Sequence, residues 1–474
     1  MPKTIEYQLH PFGWENDPEE ERLRFSSLDY LAACTYNSYA IFFKLEDEEK
    51  PKVTEVLKEG LERTLAQCRQ LVGTIEKNKD DDDHSFVKRK DTSVKFVVKY
   101  FEAEDNFPSI SEIEKAHFAS SSLGDVTRLV VEGMAYGEKP ECLPSASPVI
   151  SAYQANFIPG GLIFLMNFHH YANDVMGWAN FVHQLAENCY SIVNKTVAPP
   201  WDPANLDASR FTAADFPSES KVNGPTPPDR HPLLLEHSSL LFHLPKSKAE
   251  ELKKLATPDN GSWISTYDAF SALLWRIMTK HRAPLYKSDI EESPIFLEAV
   301  NMRRRTDPPV AKRQQRNLFW AAVSASYPDP LKVKQIVSEA PLSNMAAYIR
   351  MLTDSMNQDA LDKALAMLAP VRDKTCLFTR VNSLAPLSTA MTDWRETAIC
   401  ETDFGFAQPV AYRHLFDAVT EGLILIYPPR KSDNPDEGCE FVLTFETDIV
   451  KPVLDDPDLM KYFDFRGYEV KPSK

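Results

Sequence analysis

Glycine is scarce in this 474-residue chain, at 15, and its cysteines do not pair by spacing. A phosphate-cradling glycine loop, a dinucleotide fingerprint and a nucleophile elbow each need glycines at fixed intervals, and none occurs. The one adjacent pair, Gly160-Gly161, precedes a strand and so cannot open a phosphate loop. Seven cysteines (Cys34, Cys68, Cys142, Cys189, Cys376, Cys400, Cys439) form no C-x-x-C pair, which argues against structural zinc and suits a reducing compartment. No metal site is expected; the aspartates of Lys79–Asp83 read as a solvated turn. Basic residues number 53 against 69 acidic ones, a net charge of −16, which argues against nucleic acid as a partner because phosphate binding needs a basic surface. A small anionic cosubstrate is still admitted, given a local basic pocket set against the global field. No run of about 18 apolar residues exists. No signal-peptide core follows Met1, and no retention or lipidation signal ends the chain. These absences point to a soluble cytosolic protein without a membrane partner.

Proline, by contrast, is plentiful at 35, and eight lie between Val197 and Pro232. Proline removes backbone donors and blocks helix continuation, so this stretch reads as a long extended crossing. The chain exceeds the size at which one core stops growing, so two domains of roughly 200 residues are expected. The division is an N-terminal domain over 1–196, a proline-rich linker over 197–238 and a C-terminal domain over 239–474. With 43% apolar and 26% charged residues the composition is that of an ordinary globular protein.

The stretch Gly160 to Val193 organises the rest. Leu162–Phe168 is almost unbroken apolar sequence, which suits a strand covered on both faces. Trp178, Phe181, Val182, Leu185, Cys189 and Val193 recur at helical spacing, and Asn173 or Asp174 can cap that helix. Between strand and helix stand His169 and His170. An imidazole at a strand end, unprotonated near neutral pH, is a candidate general base. Neighbouring side chains on an extended strand face opposite ways, so at most one of the two enters a given cavity, and pattern alone does not say which.

Elsewhere the pattern predicts strands at Tyr39–Leu45, 74–75, 86–88, Val94–Tyr100, Ser239–Leu244, Ile295–Val300, 319–326, 398–400, 422–427 and 441–445. Helices are expected over Lys52–Leu71, with Gly73 as the stop, and over 110–118, 247–255, most of 333–367 and 450–462. Residues from Glu21 read as a loop into a short helix. Ser265-Thr266-Tyr267-Asp268 resembles a capping box, followed by the stripe Phe270, Leu273, Leu274, Ile277 and Met278.

His169-His170-Tyr171-Ala172-Asn173-Asp174 and, 229 residues on, Asp403-Phe404-Gly405-Phe406-Ala407 together resemble the BAHD acyltransferase superfamily, which carries H-x-x-x-D at mid-chain and D-F-G-W-G near the end. Phe25–Asp29, Ile264–Ala269 and Asn301–Arg305 are similar to its opening motif, its mid-chain helix start and its Arg-containing segment. Within the superfamily, the proline content and the phrase Asn173–Trp178 look most like fungal members similar to trichothecene 3-O-acetyltransferase. The resemblance implies an α/β fold of two similar-sized domains with mixed β-sheets flanked by helices, chloramphenicol acetyltransferase-like, and an active-site channel between them. It also implies acyl-CoA, acetyl-CoA above all, as cosubstrate, with no bound cofactor. The acceptor would be a hydroxyl or amine of a small specialised metabolite, and the protein a monomer.

By the same resemblance His170 matches the general base of a direct transfer in a ternary complex. Asp174 matches an aspartate turned away from the channel and Arg303 its arginine partner, both structural supports. Thr392 or Trp394 would donate to the tetrahedral oxyanion, while Asp403 and Gly405 form a structural turn. Ser265, Thr266, Lys253, Lys254, Arg304, Arg316 and Asn317 would hold CoA, the basic ones joined by Arg305, Lys312 and Arg313. The chain departs from the pattern at Phe406 and Ala407, at Val175 in place of a glycine, and at Gln314-Gln315-Arg316, where Tyr-Phe-Gly precedes the shared Asn317. Two other readings share the fold: a condensation-like enzyme fed by a carrier-protein arm, disfavoured because no carrier or adenylation module is present, and a non-catalytic binding protein.

Overall fold

The computed structural model of the chain describes residues 2–470 apart from 80, 102–104, 215, 379 and 417–418, so Asp80 of the aspartate run lies outside the described residues. Two large sheets carry the core. The first has six strands in the order Lys3–Leu9, Val94–Tyr100, Ser151–Ile158, Gly161–His169, Tyr36–Lys44 and Ala411–His414. The second has seven: Phe319–Val323, Phe296–Asn301, Thr389–Asp393, Leu423–Ile426, Cys439–Glu446, His237–Leu244 and Asp464–Val470. Each mixes parallel and antiparallel neighbours, as where Thr389–Asp393 runs parallel to the strands on both its sides. A small third sheet joins Glu20–Arg24, His84–Arg89 and Thr74–Lys77.

Gly161–His169 is buried along its whole length because both faces of its sheet are covered. Leu162, Phe164, Met166 and Phe168 pack with Leu57, Leu61, Phe181 and Leu185 of the helices Lys50–Gln67 and Val175–Asn194. Ile163 and Leu165 point the other way, toward Ile113, Phe118 and Leu129. The period of two therefore aims His169 and His170 oppositely as well. The second sheet is covered by the helices Thr266–Tyr286 and Leu342–Ser355, whose Phe270, Leu274, Met345 and Ile349 share one core with Phe441 and Leu443.

Every strand of the second sheet comes from residue 237 onward, and five of the six in the first come from before residue 170. The sixth corrects the division at 239. Ala411–His414 leaves the C-terminal half and pairs antiparallel with Tyr36–Lys44, His414 opposite Tyr39. Arg413 ties this strand back, its fully buried guanidinium paired with Glu440 on the second sheet. The segment 197–236 crosses between the halves, and its described residues form three short 3₁₀ turns, at Pro203–Leu206, Ser209–Phe211 and Ser218–Ser220, before the strand His237–Leu244 begins. Among the described residues no helix is long and apolar enough to cross a membrane.

Several expectations need correction. The strand expected at 398–400 is a 3₁₀ turn, and the strand lies earlier, at Thr389–Asp393, where its neighbours rather than an apolar pattern hold it extended. Residues from Glu20 form an edge strand instead of a loop. Lys3–Leu9, Ser151–Ile158, Ala411–His414 and Asp464–Val470 are strands that the pattern does not predict. The closing helix is two, Val450–Leu454 and Pro457–Tyr462, because Pro457 cannot continue the first and Asp456 caps the second, accepting from the Asp458 amide at 2.9 Å.

Candidate active site

Of the two histidines, one is fully occupied. His169 donates from Nε2 to the Cys142 carbonyl at 2.8 Å and accepts the Tyr171 amide at Nδ1 at 3.1 Å. Both ring nitrogens are thus spent, and burial pushes its pKa down to about 4. His170 is half-buried, and neither ring nitrogen makes a well-aligned hydrogen bond among the described residues; Nδ1 is enclosed, which leaves Nε2 as the nitrogen open to a reactant. Burial lowers its pKa, opposed by its own carbonyl, the Asp174 charge and the Asn173 carbonyl. A neutral imidazole near pH 7 follows.

The loop that carries this ring is clamped from the opposite half. Asn317 donates from Nδ2 to the carbonyls of His170 and Tyr171, at 2.9 and 2.8 Å. The Arg316 amide donates to Asn173 Oδ1 at 2.6 Å, and the Leu318 amide to Asp174 Oδ2 at 2.8 Å. Arg303 meets Asp174 with two parallel bonds of 2.8 and 2.9 Å and also donates to the carbonyls of Gln314 and Arg316. Asp174 caps the following helix through the Gly177 amide at 2.7 Å, so all its contacts are structural and none is left for a reactant. The departure at Val175 is harmless, since the glycine this turn needs is Gly177: a Cβ there would lie 2.7 Å from Asn173 Oδ1 and 2.9 Å from the Arg316 carbonyl.

Around the base stands an aromatic wall drawn from both halves. The Trp394 indole donates to Thr392 Oγ1 at 2.8 Å, and its ring packs against Tyr39, Tyr412 and His414. This separates two residues proposed for one role. The Trp394 N–H is consumed, whereas the Thr392 hydroxyl, having accepted it, keeps its own hydrogen to donate. His414 was missed by the sequence reading, since it sits on the crossing strand. The Ser38 amide donates to its Nε2 at 3.3 Å, and Nδ1 is buried without a partner. Burial, with the His170 charge beside it, pushes its pKa down to about 3.

The residues expected to hold CoA divide into two groups. Ser265 caps the helix Thr266–Tyr286 in a reciprocal box with Asp268, which in turn takes Arg350 through bonds of 2.9 Å from Nε and Nη2. Desolvation, with Glu298 and Asp393 beside it, holds the Tyr267 hydroxyl at this helix start well above its usual pKa. Lys253 reaches over the exposed Trp263, as does Arg350. Lys254 is exposed nearby on the same helix.

Arg316 and Asn317 are not available to a cosubstrate, and that expectation is corrected. Arg316 is 2% exposed and paired with Asp29, and Asn317 spends its amide on the His170 loop. Arg305 donates to the carbonyls of Thr353 and Met356, and Arg313 pairs with Glu187. Only Arg304 and Lys312 stay together, lining a cleft of about 500 Å³ with Asn180 and His183, beside Glu396. Asp403 accepts the Gly405 amide at 2.8 Å in a turn pressed on the end of helix Val175–Asn194, where a Cβ on Gly405 (φ +78°) would lie 2.9 Å from Tyr190 Cα. Phe406 packs on Phe43 there, which explains why the departure from tryptophan is tolerated.

Comparison with known proteins gives the family and the fold. A model of the Transferase family matches residues 15–451. The acetyltransferase FGR3 of Gibberella zeae is 52% identical over 99% of this chain and 95% of its own length. Trichothecene 3-O-acetyltransferase TRI101 of Fusarium sporotrichioides is 23% identical over 91% of this chain and 94% of its own length. The crystal structure of F. graminearum TRI101 complexed with coenzyme A and T-2 mycotoxin is similar in fold, with a TM-score of 0.77 at 19% identity over 94% of this chain and all of that one.

Proposed function

We propose, for a chain that belongs to the Transferase family, the BAHD acyltransferases, that His170 is the base of an acetyl transfer run in the space between its two halves. The protein is an acyl-CoA-dependent acyltransferase acting on a specialised metabolite, with acyl-CoA as cosubstrate. One observation carries the assignment of the base: of two adjacent rings, His169 has both nitrogens in well-aligned hydrogen bonds and His170 neither.

The acceptor hydroxyl gives its proton to His170 Nε2 as its oxygen attacks the thioester carbonyl. The proton on Nδ1 stays in its enclosed position. Charge developing on the carbonyl oxygen is met by the Thr392 hydroxyl, held in place by the Trp394 indole. Collapse of the tetrahedral intermediate breaks the C–S bond, and the departing CoA sulfur recovers the proton from His170. No acyl-enzyme forms. Asp174, Arg303 and Asn317 hold the loop, and Asp403 and Gly405 hold a turn away from the reaction. Ser265, Thr266, Lys253 and Lys254 border the CoA entrance.

We further read the chain as a cytosolic monomer without nucleic-acid or membrane partners, a reading supported by its net charge of −16 and its apolar pattern. The domains are 1–196 and 239–474 about a linker, with Ala411–His414 lent to the first.

Incubating the purified protein with acetyl-CoA and a panel of hydroxylated small molecules, followed by mass spectrometry, tests the proposal. An acetylated product is expected, and His170→Ala should lower turnover by about a hundredfold or more with folding intact. Product only from carrier-bound acyl groups, or activity unaffected in His170→Ala, would sink it.

A further inference from the structure

His414 carries a buried donor that nothing else in the described chain takes up. It stands opposite Tyr39 in the strand pair, and Tyr39 packs on Phe168, so alternation puts these rings on the face of the sheet to which His170, two residues on, also belongs. The Ser38 carbonyl accepts the Leu415 amide at 2.8 Å, and the Ser38 amide, turned to the same side, donates to His414 Nε2 at 3.3 Å. A buried backbone N–H needs an acceptor, so Nε2 is the lone-pair nitrogen and the proton of this neutral ring sits on Nδ1. The Asn37 side-chain amide also lies 3.3 Å from Nε2 and can turn its N–H₂ toward it. The Nδ1–H is enclosed and has no hydrogen-bond partner among the described residues. Around it stand the rings of Phe416, Tyr136 and Trp394, with centroids 4.3, 4.8 and 6.0 Å away, and Tyr136 is tied to Thr420 of the other half at 2.8 Å. Aromatic walls with one placed donor, beside the base, have the character of a small-molecule site, and an orphaned buried donor calls for a partner from outside the chain.

We propose that His414 determines which acceptors react: its Nδ1–H donates to a second oxygen of the acceptor, a carbonyl, ether or hydroxyl near the hydroxyl whose proton goes to His170. The surrounding rings take the apolar body. This assignment rests on the acyl-transfer reading above and deepens it by naming the substrate class, metabolites oxygenated at two neighbouring positions. A water molecule is the competing occupant of that nitrogen.

The test is an acceptor panel built in pairs that differ by one oxygen, among them benzoin against the same alcohol without its carbonyl, and catechol against phenol. Each is assayed with acetyl-CoA and the whole protein, and the ratio of kcat/KM within a pair is the readout, since intrinsic reactivity cancels between wild type and variant. That ratio should fall by about tenfold or more in His414→Phe, the discrimination one buried donor supplies. In His414→Gln, which keeps an N–H, it should fall less. A ratio that stays at the wild-type value in both variants, with the two members of each pair slowed alike, overturns the inference and leaves a packing ring or a water in its place. So does a wild type that acetylates only the members with a single oxygen. Failure of the wild type to acetylate any acceptor would remove the acyl-transfer reading itself, a separate result.

Discussion

Arg316 and Arg350 have the same two kinds of neighbour, an aromatic ring and a carboxylate, in opposite surroundings. Arg316 lies 4.8 Å above Phe86, pairs with Asp29 and is 2% exposed, shut into the seam between the halves. Arg350 lies 4.9 Å from Trp263 and pairs with Asp268, but its aromatic partner faces water. Buried, Arg316 spends its Nη2 on Asp29 and on the Arg24 carbonyl, leaves Nε without a partner among the described residues, and fixes chain to chain. Exposed, the same trio leaves a ring face and a neighbouring lysine for something else to cover. The seam and the surface thus differ in whether a partner from solution can reach them, rather than in the residues used.

If the seam consists of buried bolts, its members should be costly to remove, and the surface cations cheap. Asp174→Ala strands the Arg303 charge and the amides of Gly177 and Leu318 in a buried place. A loss of about 3–5 kcal/mol is expected, read by urea unfolding. Lys253→Gln should stay within about 0.5 kcal/mol of wild type, as exposed substitutions do. Equal costs would erase the distinction between the two regions.

A second test separates holding from reacting inside the seam. Thr392→Val should lower turnover by about a hundredfold, as the loss of one oxyanion donor does, with the KM for acetyl-CoA little changed. Trp394→Phe keeps the ring among Tyr39, Tyr412 and His414 but removes the N–H that holds Thr392. It should cost about tenfold, the share of a single hydrogen bond. If Trp394→Phe were the more damaging of the two in steady-state assays, the indole rather than the hydroxyl would be the donor.

How much of this was legible in the sequence follows the range over which each signal acts. The strand Gly161–His169 and its helix could be read because apolar runs and helical spacing are local, and the capping box at Ser265 because its partner is three residues away. Ala411–His414 was not, because its arginine is buried against Glu440 on another sheet and no alternation marks it. Resemblance put Arg316 and Asn317 with CoA for the same reason in reverse. Their carboxylate, Asp29, stands 287 and 288 residues away, and only the fold brings it in. Trp263 was passed over since nothing local distinguishes an exposed tryptophan from a core one.

The last expected effect, a slope with pH rather than a loss at one pH, concerns the seam alone. His414 is held neutral, its pKa pushed from 6.5 to about 3 by burial and by the His170 charge. The unfolded chain takes a proton on this ring below about pH 6.5 whereas the folded one does not until about pH 3, so acidification through that interval favours unfolding. Stability is therefore full above pH 6.5 and falls as pH drops. His414→Phe keeps the ring among Tyr39, Tyr136 and Phe416 and deletes the proton. Between pH 4 and 6 its stability should fall less steeply than that of wild type, by about 1.4 kcal/mol per pH unit for one proton. Trp263→Ala, on the open surface, should leave that slope as it is. Urea midpoints across the interval measure both, and identical slopes for wild type and His414→Phe would mean that the ring already exchanges its proton with solvent and belongs with the surface rather than the seam.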